Sequence, residues 1–459
     1  MRSLSIILAC LLPVSAFCYS EDNLVSRIDK LVTSTSPNSA VVVVDLNKSK
    51  IIYKNKANAP VKPASVLKLL TSQVALSTLG PHYRFSTKFY SRNPVPVDGA
   101  ISALYVKGGG DPSFTLESMI DAVREIKKKG VHSIGQIVLD ESYFNGSNGR
   151  SGQRAYEAGS SALSFNFNSI SFDVCPSAVG QPARVVHDPY ELPLKVVDKI
   201  NTIKKGRVNF RLDEVTGSDN ALTYRVSGEL GRYAKCLKVY RSVGNPPLYF
   251  GMSLLGLLEE NGIKVLGGLS KGLTPANSNL LYDHSSKVLS QIVWDLNNFS
   301  TNFIAEQLLF SIGSTHDKVL DRNYGLSKLK QHIVNLGFEA DKIALFDGCG
   351  LSHSNRITAM MLAMVLREAR LRIASWPEYK ASLSVAGKSG TLKKRLTQLS
   401  GATVRAKTGS LNNVSSLAGY IDTDRGNNFA FVIISNQVQS IGRTRKFEED
   451  LVKLIVTQQ

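Results

Sequence analysis

One stretch near the start of the chain limits what this protein can fold into, because the residues from Lys62 to Leu79 are apolar on nearly every side. Pro63 suits the first turn of a helix, where the N–H that proline lacks would have no partner. A helix that is apolar all round is stable only when it is buried. The sequence therefore predicts a central helix with the rest of a domain packed around it.

Two polar residues, Ser65 and Lys68, interrupt the apolar surface near the start of this helix. Their spacing puts them on one helix face. A lysine removed from water can accept a proton from a hydroxyl, and the N–H groups at a helix start can hold an oxyanion. The pair predicts a serine nucleophile, Ser65, with Lys68 as its base. The same spacing recurs from Ser327 to Lys330, but that polar stretch is interpreted as the solvated surface of a helix.

The length of the chain and its first residues narrow its class. At 459 residues it is too long for one ordinary core, so two or three domains are expected. Residues 1–20 combine a positive charge, an apolar core and small residues near position 20, which is typical of a secretory signal. We therefore expect a soluble exported protein, periplasmic or associated with the cell wall, without a transmembrane anchor.

The net charge of +18 favours an anionic environment. Nucleic acid is not expected as the partner, because export and the lack of a nucleic-acid motif argue against it. Peptide carboxylates and acidic cell-wall polymers fit better. No metal is expected either, because the seven histidines show no ligand spacing.

Three cysteines remain once Cys10 and Cys18 leave with the predicted signal. Cys175 and Cys236 flank one stretch and could form a disulfide, whereas Cys349 lies in an Asp-Gly-Cys-Gly turn. An odd number leaves at least one thiol free, and the sequence alone leaves the pairing open.

A second motif follows much later in the chain. Ser300 and Asn302 lie where a helix is predicted to begin, and Ile304, Leu308 and Leu309 form the buried stripe of that helix. The same Ser-x-Asn spelling occurs from Ser218 to Asn220, which is interpreted as a turn in a β-rich insertion. Ser300 is therefore the preferred candidate, with a helix cap as its alternative role.

A third motif lies on a predicted strand, Val404–Leu411, which is followed by a turn at Asn412 and by two return strands. An exposed edge strand can align an extended peptide by β-addition. Lys407 and Thr408 would then face the terminal carboxylate of that peptide, and Gly409 would permit close approach. A competing Lys-Ser-Gly at Lys388 is interpreted as a loop entering a helix.

With Ser-x-x-Lys, Ser-x-Asn and Lys-Thr-Gly in this order and context, the chain resembles the low-molecular-mass class C penicillin-binding proteins. These are the D-alanyl-D-alanine carboxypeptidase/endopeptidase family, serine peptidase family S13. Further segments carry the resemblance over nearly the whole mature chain; they are 108–112, 160–166, 180–183, 347–352, 385–387 and 390–392.

The resemblance implies an α+β fold with three parts. A transpeptidase/β-lactamase-like catalytic domain, an antiparallel five-stranded sheet flanked by helices, is expected from residues 21–90 and 283–459. Two smaller inserted domains are expected between these segments. Domain II would take residues 91–182 and 237–282, and a nested β-rich domain III would take residues 183–236.

The resemblance also implies a serine DD-peptidase that works through a penicillin-sensitive acyl-enzyme and needs no cofactor. It would cleave D-Ala-D-Ala (carboxypeptidase) and D-Ala–diamino acid cross-links (endopeptidase) of peptidoglycan stem peptides, with β-lactam antibiotics as covalent inhibitors. Lys407 is expected to depress the pKa of Lys68, and the N–H groups of Ser65 and Ser410 to form the oxyanion hole. The implied catalytic residues are Ser65, Lys68, Ser300, Asn302 and Lys407, and the implied substrate-binding residues are Thr408, Gly409, Ser410, Asn412 and His353.

Two positions depart from the family pattern. Where many members carry an arginine that helps to bind the diamino acid, this chain has His353, with Arg356 three residues later. The tryptophan and aspartate that often precede the Ser-Ala-Leu segment are absent from residues 149–158. The preferred diamino acid is therefore left open.

Three alternatives remain at this stage. Gly268–Gly272 spells the nucleophile elbow of a serine esterase, but an elbow needs a helix immediately afterwards, and the residues from Leu273 to Asn277 start a helix poorly. A β-lactamase shares the three motifs, but the large insertion disfavours it. A non-hydrolytic penicillin-binding or cell-wall-binding protein would keep the fold.

Overall fold

The computed structural model describes residues 21–146, 149–190, 192–206, 208–215, 222–313 and 320–457. The predicted signal of residues 1–20 and the alternative Ser218 motif lie outside these ranges. Within them, no helix combines the length and the apolar character that crossing a membrane requires.

The α-helices, in chain order, are α1 (Glu21–Thr35), α2 (Lys68–Leu79), α3 (Leu116–Lys128), α4 (Pro246–Glu260), α5 (Leu289–Phe299), α6 (Asn302–Ile312), α7 (Arg322–Asn335), α8 (Ala359–Leu371), α9 (Trp376–Ala381) and α10 (Ile441–Thr457). The strands are β1 (Ala40–Asp45), β2 (Lys50–Asn55), β3 (Ser86–Ser91), β4 (Ala100–Ile101), β5 (Leu104–Lys107), β6 (Ser133–Ile134), β7 (Ile137–Asp140), β8 (Ser169–Cys175), β9 (Arg184–Asp188), β10 (Lys195–Ile203), β11 (Asn209–Val215), β12 (Thr223–Gly231), β13 (Leu237–Ser242), β14 (Lys264–Val265), β15 (Leu269–Lys271), β16 (Asn279–Ser285), β17 (Ser384–Val385), β18 (Ala402–Leu411), β19 (Val414–Thr423) and β20 (Asn428–Asn436).

The main sheet has the order β17-β18-β19-β20-β1-β2 and is antiparallel throughout. Its five long strands are those of the expected transpeptidase-like sheet, and β17 adds a sixth strand of only two residues. Every residue of β1 is buried. Alternate side chains of a strand point to opposite faces, so both faces of this sheet must be covered.

Helices cover both faces. Val42 of β1 belongs to one apolar cluster with side chains of α2, α5, α6 and α8. Its neighbour Val43 belongs to another cluster, with side chains of α1 and α10. This arrangement of an antiparallel sheet between two helical layers confirms the α+β fold that the sequence predicts.

Helix α2 is the central helix that the sequence predicts. Nine of its residues are buried, and it packs against α5, α6, α7 and α8. Its first turn differs from the prediction, because residues Ala64–Leu67 form a 3₁₀ turn before the α-helix begins at Lys68. Ser65 therefore lies in a tight turn rather than within the regular helix.

A second body is inserted between α2 and α5. Its largest sheet has the order β15-β7-β5-β3-β16, and α3 and α4 pack in the same apolar cluster. Three further three-stranded sheets, β14-β6-β4, β13-β8-β9 and β10-β12-β11, lie within the described part of the insertion. A bond between Cys175 and Cys236 joins the end of β8 to the residue before β13, whereas Cys349 is buried and free.

We propose that the insertion comprises the expected domain II (91–182 and 237–282) and the nested domain III (183–236), with residues 21–90 and 283–459 as the catalytic domain. Strands β3 and β16 pair with each other in the sheet of the insertion. We therefore propose that the junctions with the catalytic domain lie a few residues outside the expected bounds, at Ser86 and Ser285, where these two paired strands begin and end.

Candidate active site

Ser65 is held in place by two close approaches of the backbone. A Cβ atom on Gly409 of β18 would lie 2.9 Å from the Ser65 nitrogen, and a Cβ on Gly350 would collide with the Ala64 carbonyl oxygen. Ala64 itself has a φ of 53°, in the left-handed region that a non-glycine residue rarely adopts. Strand β18 and the loop at Gly350 thus hold the turn that presents Ser65.

Lys68 lies beneath Ser65 and is fully buried, with 0% of its surface exposed. Its Nζ atom lies 2.9 Å from Ser65 Oγ, 2.7 Å from Asn302 Oδ1 and 2.7 Å from the Cys349 carbonyl oxygen. Burial lowers the pKa of Lys68, and the nearby Asp347 and Glu306 carboxylates partly offset that effect. This is the environment in which a lysine can serve as a base.

Ser300 and Asn302 occupy the junction of two helices. Helix α5 ends at Phe299, Ser300 has a left-handed φ of 60°, and α6 begins at Asn302. While Asn302 Oδ1 accepts from Lys68, its Nδ2 donates to the Tyr156 carbonyl oxygen at 2.9 Å. The insertion therefore fixes the orientation of this carboxamide.

Lys407 is also fully buried, with 0% exposed, and its Nζ donates to Ser300 Oγ and to the Thr408 carbonyl oxygen, each at 2.8 Å. Burial lowers the pKa of Lys407 strongly, and the charge on Lys68 lowers it further. The sequence predicts that Lys407 depresses the pKa of Lys68. In the structure the main cause is different, because burial of Lys68 itself lowers its pKa.

The edge of β18 beside these groups is open. Strand β17 pairs only with Arg405 and Ala406, and no other strand in the described part of the chain covers residues 407–411 on that side. Thr408 Oγ1 donates to Thr391 Oγ1, and Arg445 Nη2 donates to Ser410 Oγ. The expected edge strand is therefore available to an extended peptide.

A cleft of about 910 Å³ opens over Ser65. The structure brings Ser65, Ser300, Asn302, Ser410, Asn412 and His353 together in its wall, with Arg154, Tyr156 and Glu157 of the insertion opposite. His353 and Asn412 are exposed at the rim. Lys68, Lys407 and Gly409 lie buried directly behind this surface.

The competing motifs lie elsewhere. Ser327 is exposed on α7, as its polar surroundings predict. Ser270 is exposed on β15, and the described residues between it and β16 contain no helix, so the nucleophile-elbow interpretation is wrong. Ser389 lies in the loop before the short turn Gly390–Leu392 and donates to Asn298 Oδ1.

Sequence reasoning missed two buried carboxylates beside Lys68. Glu306 Oε2 accepts from Arg322 Nη2 at 2.9 Å, and Glu306 Oε1 accepts from the Gly348 N–H at 2.7 Å. Asp347 accepts from the Gly350 and Ser352 N–H groups. One signal for such a site is present in the sequence, namely a glutamate within the apolar run of α6. A buried charge is costly unless it is paired, so this glutamate indicates a buried partner.

Glu306, Asp347 and Cys349 also form a compact group of three metal-ligand residue types, with atoms within 4.8 Å of one another. The oxygens of both carboxylates already accept hydrogen bonds from protein donors, and burial raises the pKa of the Cys349 thiol well above its usual value. The donor set therefore suits a hydrogen-bonded support for Lys68 better than a cation site.

An antiparallel sheet between helical layers, with a serine and a buried lysine at the start of its central helix, defines a serine hydrolase of the transpeptidase/β-lactamase architecture. The chain belongs to the D-Ala-D-Ala carboxypeptidase 3 (S13) family, whose model matches residues 24–457. It is thus a serine D-Ala-D-Ala carboxypeptidase by family, as its three motifs predict.

Individual relatives agree. The chain is 31% identical over 423 residues to a D-alanyl-D-alanine carboxypeptidase of Actinomadura sp., covering 87% of this chain and 77% of that protein. It is 25% identical over 418 residues to the D-alanyl-D-alanine carboxypeptidase DacB of Haemophilus influenzae, covering 87% and 85%. The crystal structure of penicillin binding protein 4 (dacB) from Haemophilus influenzae shares the fold, with a TM-score of 0.80 at 24% identity over 93% of this chain and 99% of that one.

Proposed function

We propose that this protein hydrolyses the D-Ala-D-Ala ends of peptidoglycan stem peptides and the D-Ala–diamino acid cross-links between them. The observation that carries this proposal is the contact between the buried Nζ of Lys68 and Ser65 Oγ at 2.9 Å, under a cleft beside an open strand edge. The proposed location is the periplasm or the cell wall, reached through the predicted signal in residues 1–20.

In the first step of the proposed reaction, Ser65 Oγ attacks the carbonyl carbon between two D-alanines and Lys68 accepts the hydroxyl proton. A neutral amine has two N–H donors and one lone pair. Asn302 Oδ1 and the Cys349 carbonyl are acceptors, so they occupy both donors. The lone pair is then directed at the hydroxyl of Ser65, which is the arrangement that a general base needs.

The negative charge of the tetrahedral intermediate would be held by the N–H groups of Ser65 and Ser410. Support for this hole comes from Gly409, where an added Cβ would lie 2.9 Å from the Ser65 nitrogen, so the strand edge and the nucleophile turn are in close contact. Backbone donors fixed in this way need no reorganisation when the charge develops, which makes them effective.

Departure of the terminal D-alanine or diamino acid requires a proton at its nitrogen. Ser300 Oγ accepts a hydrogen bond from Lys407 Nζ at 2.8 Å. Nearby, Asn302 Oδ1 accepts a hydrogen bond from Lys68 Nζ. We assign Ser300 and Lys407 to this relay, which leaves an acyl-enzyme on Ser65. Water then hydrolyses the ester. A β-lactam would form the same kind of ester and block the site.

The substrate would lie along the free edge of β18, with its terminal carboxylate at Lys407, Thr408 and Ser410. Asn302 is proposed to bind the substrate backbone, and because its Nδ2 already donates to Tyr156, a substrate carbonyl would have to replace that acceptor. Asn412 and His353, at the rim of the cleft, are proposed to contact the diamino acid that precedes the D-alanine of the cleaved bond.

Digestion of purified peptidoglycan with the protein, followed by mass analysis of the products, tests the proposal. Release of free D-alanine and splitting of cross-linked dimers are expected, and neither should occur with Ser65→Ala. Covalent labelling by penicillin without any change in the peptidoglycan would instead indicate a non-hydrolytic penicillin-binding protein.

A further inference from the structure

Two aromatic side chains are exposed on α5, the helix that leads into Ser300. Trp294 is 41% exposed, and Phe299, the last residue of the helix, is 65% exposed. Their rings meet edge to face, with centroids 5.7 Å apart. Exposed apolar side chains that lie together and are bordered by polar groups mark binding sites, whereas single ones do not. This aromatic pair is therefore a candidate binding surface beside the catalytic residues.

A cavity of about 450 Å³ adjoins the aromatic pair at Trp294 and lies between α5 and α9. Around the indole ring its lining has charged, hydroxyl and amide side chains, which are Lys287, Ser290, Gln291, Asp295 and Glu378. The lining thus combines an apolar ring face with both hydrogen-bond donors and acceptors. Such a lining suits a ligand in which aliphatic and hydrogen-bonding groups alternate, as they do in a peptide.

The aromatic pair lies near the end of the open strand edge at which the terminal carboxylate of the substrate is proposed to bind. Thr408 Oγ1 donates to Thr391 Oγ1 at 2.8 Å. A Cβ atom on Gly390, the residue before Thr391, would lie 2.9 Å from the Asn298 carbonyl oxygen. Asn298 is followed directly by Phe299. Phe299 therefore borders the active-site cleft at its Thr408 end.

The direction of the substrate brings the leaving group to this end of the cleft. A peptide paired antiparallel with β18, with its terminal carboxylate at Lys407 and Thr408, has its N-terminal part toward Leu411. Whatever lies beyond the cleaved bond must leave at the opposite end. A carboxypeptidase substrate has only one D-alanine there, whereas a cross-link has a diamino acid that carries a second stem peptide.

The second stem peptide is long enough to reach the cavity. Helix α5 rises by roughly 1.5 Å per residue, so Trp294 lies about 9 Å along the helix from Ser300. An extended peptide covers roughly 3.3 Å per residue, so about three residues beyond the cleaved bond span that distance. They pass Phe299 before they reach Trp294.

We propose that the aromatic pair and the adjoining cavity form a subsite for the leaving strand of a peptidoglycan cross-link. The proposal rests on the function proposed above, because it uses the cleaved bond and the substrate direction given there. Phe299 packs on the aliphatic chain of the leaving diamino acid, and Trp294 with the polar groups of the cavity binds the peptide beyond it. A substrate that loses only D-alanine makes none of these contacts. The subsite therefore favours cleavage of cross-links over removal of D-alanine.

The test compares kcat/KM for two substrates that are identical up to the cleaved bond. In one the leaving group is D-alanine, and in the other it is a diamino acid that carries its own stem peptide. The test variant is Phe299→Ala with Trp294→Ala. The matched control is Tyr233→Ala with Tyr240→Ala, which removes two exposed rings of the insertion that lie outside both the cleft and the cavity.

The preference for the cross-linked substrate over the D-alanine substrate should fall about tenfold in the test variant and not in the control. Phe299→Tyr with Trp294→Phe keeps both rings and should retain most of the preference. With the leaving strand shortened to the diamino acid alone, Trp294→Ala should no longer reduce kcat/KM, whereas Phe299→Ala still should. The rate of acylation by penicillin, which brings no second peptide, checks that each variant keeps a folded site.

An unchanged preference in the test variant, or an equal loss in the control, would overturn the subsite while leaving the hydrolytic function intact. So would an equal loss of kcat/KM on both substrates, which would show that the rings only position Ser300. A wild type that releases D-alanine but does not split the cross-linked substrate would also overturn the subsite. Failure of the wild type to hydrolyse either substrate would instead overturn the proposed function, and the subsite with it.

Discussion

The Nζ atom of Lys68 lies 2.9 Å from the Oγ atom of Ser65, and the other two neighbours of that nitrogen are both acceptors. Because burial lowers the pKa of Lys68, the amine can exist in the neutral form that takes a proton from Ser65. The first three predictions concern this contact and the groups around it.

Ser65→Ala should abolish covalent labelling by a fluorescent penicillin, since no other hydroxyl is positioned beside Lys68 in the described residues. Ser270→Ala is the control, because Ser270 lies exposed on β15. Gel fluorescence after incubation measures both. Labelling that survives in Ser65→Ala but disappears in Ser270→Ala would show that the nucleophile is misassigned.

Lys68→Arg should reduce the rate of acylation by about 10²- to 10⁴-fold, because a guanidinium keeps the charge but does not give up its proton. In the wild type, acylation should fail as the pH drops through the lowered pKa of Lys68. Below that pKa the amine is an ammonium ion and has no lone pair for the hydroxyl. Stopped-flow measurements with a chromogenic β-lactam give both results, and near-normal acylation by the arginine variant would exclude Lys68 as the base.

Glu306→Gln should shift the acid limb of the acylation profile to lower pH. The Glu306 carboxylate raises the pKa of Lys68, so its removal should let the Lys68 pKa fall further. The variant also leaves Arg322 without its buried partner, and a loss of about 1–3 kcal/mol in the free energy of unfolding is expected. Glu339→Gln, at an exposed ion pair, should change neither property. A profile that moves to higher pH would contradict the electrostatic role of Glu306.

Much of the catalytic arrangement can be predicted from the sequence, because many of its residues lie close to one another along the chain. Ser65 and Lys68 share one turn at the start of an apolar helix, and Lys407 to Ser410 share one strand. The periodicity of apolar residues and the three motifs therefore specify the central helix, the open edge and most of the site. Most of the five long strands of the main sheet follow from short apolar runs bounded by turn residues, such as Ala40–Asp45.

The rest depends on contacts between residues that are distant in the chain. The bond from Asn302 Nδ2 to the Tyr156 carbonyl joins positions 146 residues apart, and no motif marks Tyr156. Arg445 Nη2 of α10 likewise donates to Ser410 Oγ, 35 positions away in the chain. Ala64 has a left-handed φ where its carbonyl oxygen closely approaches Gly350, and the residue type alone gives no indication of this conformation. Similarly, the main cause of the lowered pKa of Lys68 is its burial, which the sequence alone does not give.

The bond between Cys175 and Cys236 closes a loop of 61 residues around most of the nested β-rich region. Replacement of both residues by alanine should reduce the stability of the insertion by about 2–4 kcal/mol, because the unfolded loop gains conformational freedom. Thermal unfolding with and without a reductant measures this, and the reductant should affect only the wild type. Equal unfolding temperatures for the wild type and the double alanine variant would show that the bond adds no stability.

Cys349 is buried with a raised thiol pKa, so it should react with iodoacetamide only after unfolding.

His353 lies at the rim of the cleft, and Arg356 Nη1 donates to its carbonyl oxygen at 2.7 Å. A neutral imidazole offers a carboxylate one donor at most, whereas a guanidinium can bind both oxygens. His353→Arg should therefore raise kcat/KM about tenfold for a peptide whose diamino acid bears a carboxylate, equivalent to one restored contact of roughly 1.5 kcal/mol. The same peptide without that carboxylate is the control and should show no gain, since the groups around Ser65 are unchanged. Equal changes on the two peptides, or no change on either, would show that residue 353 does not face the bound substrate.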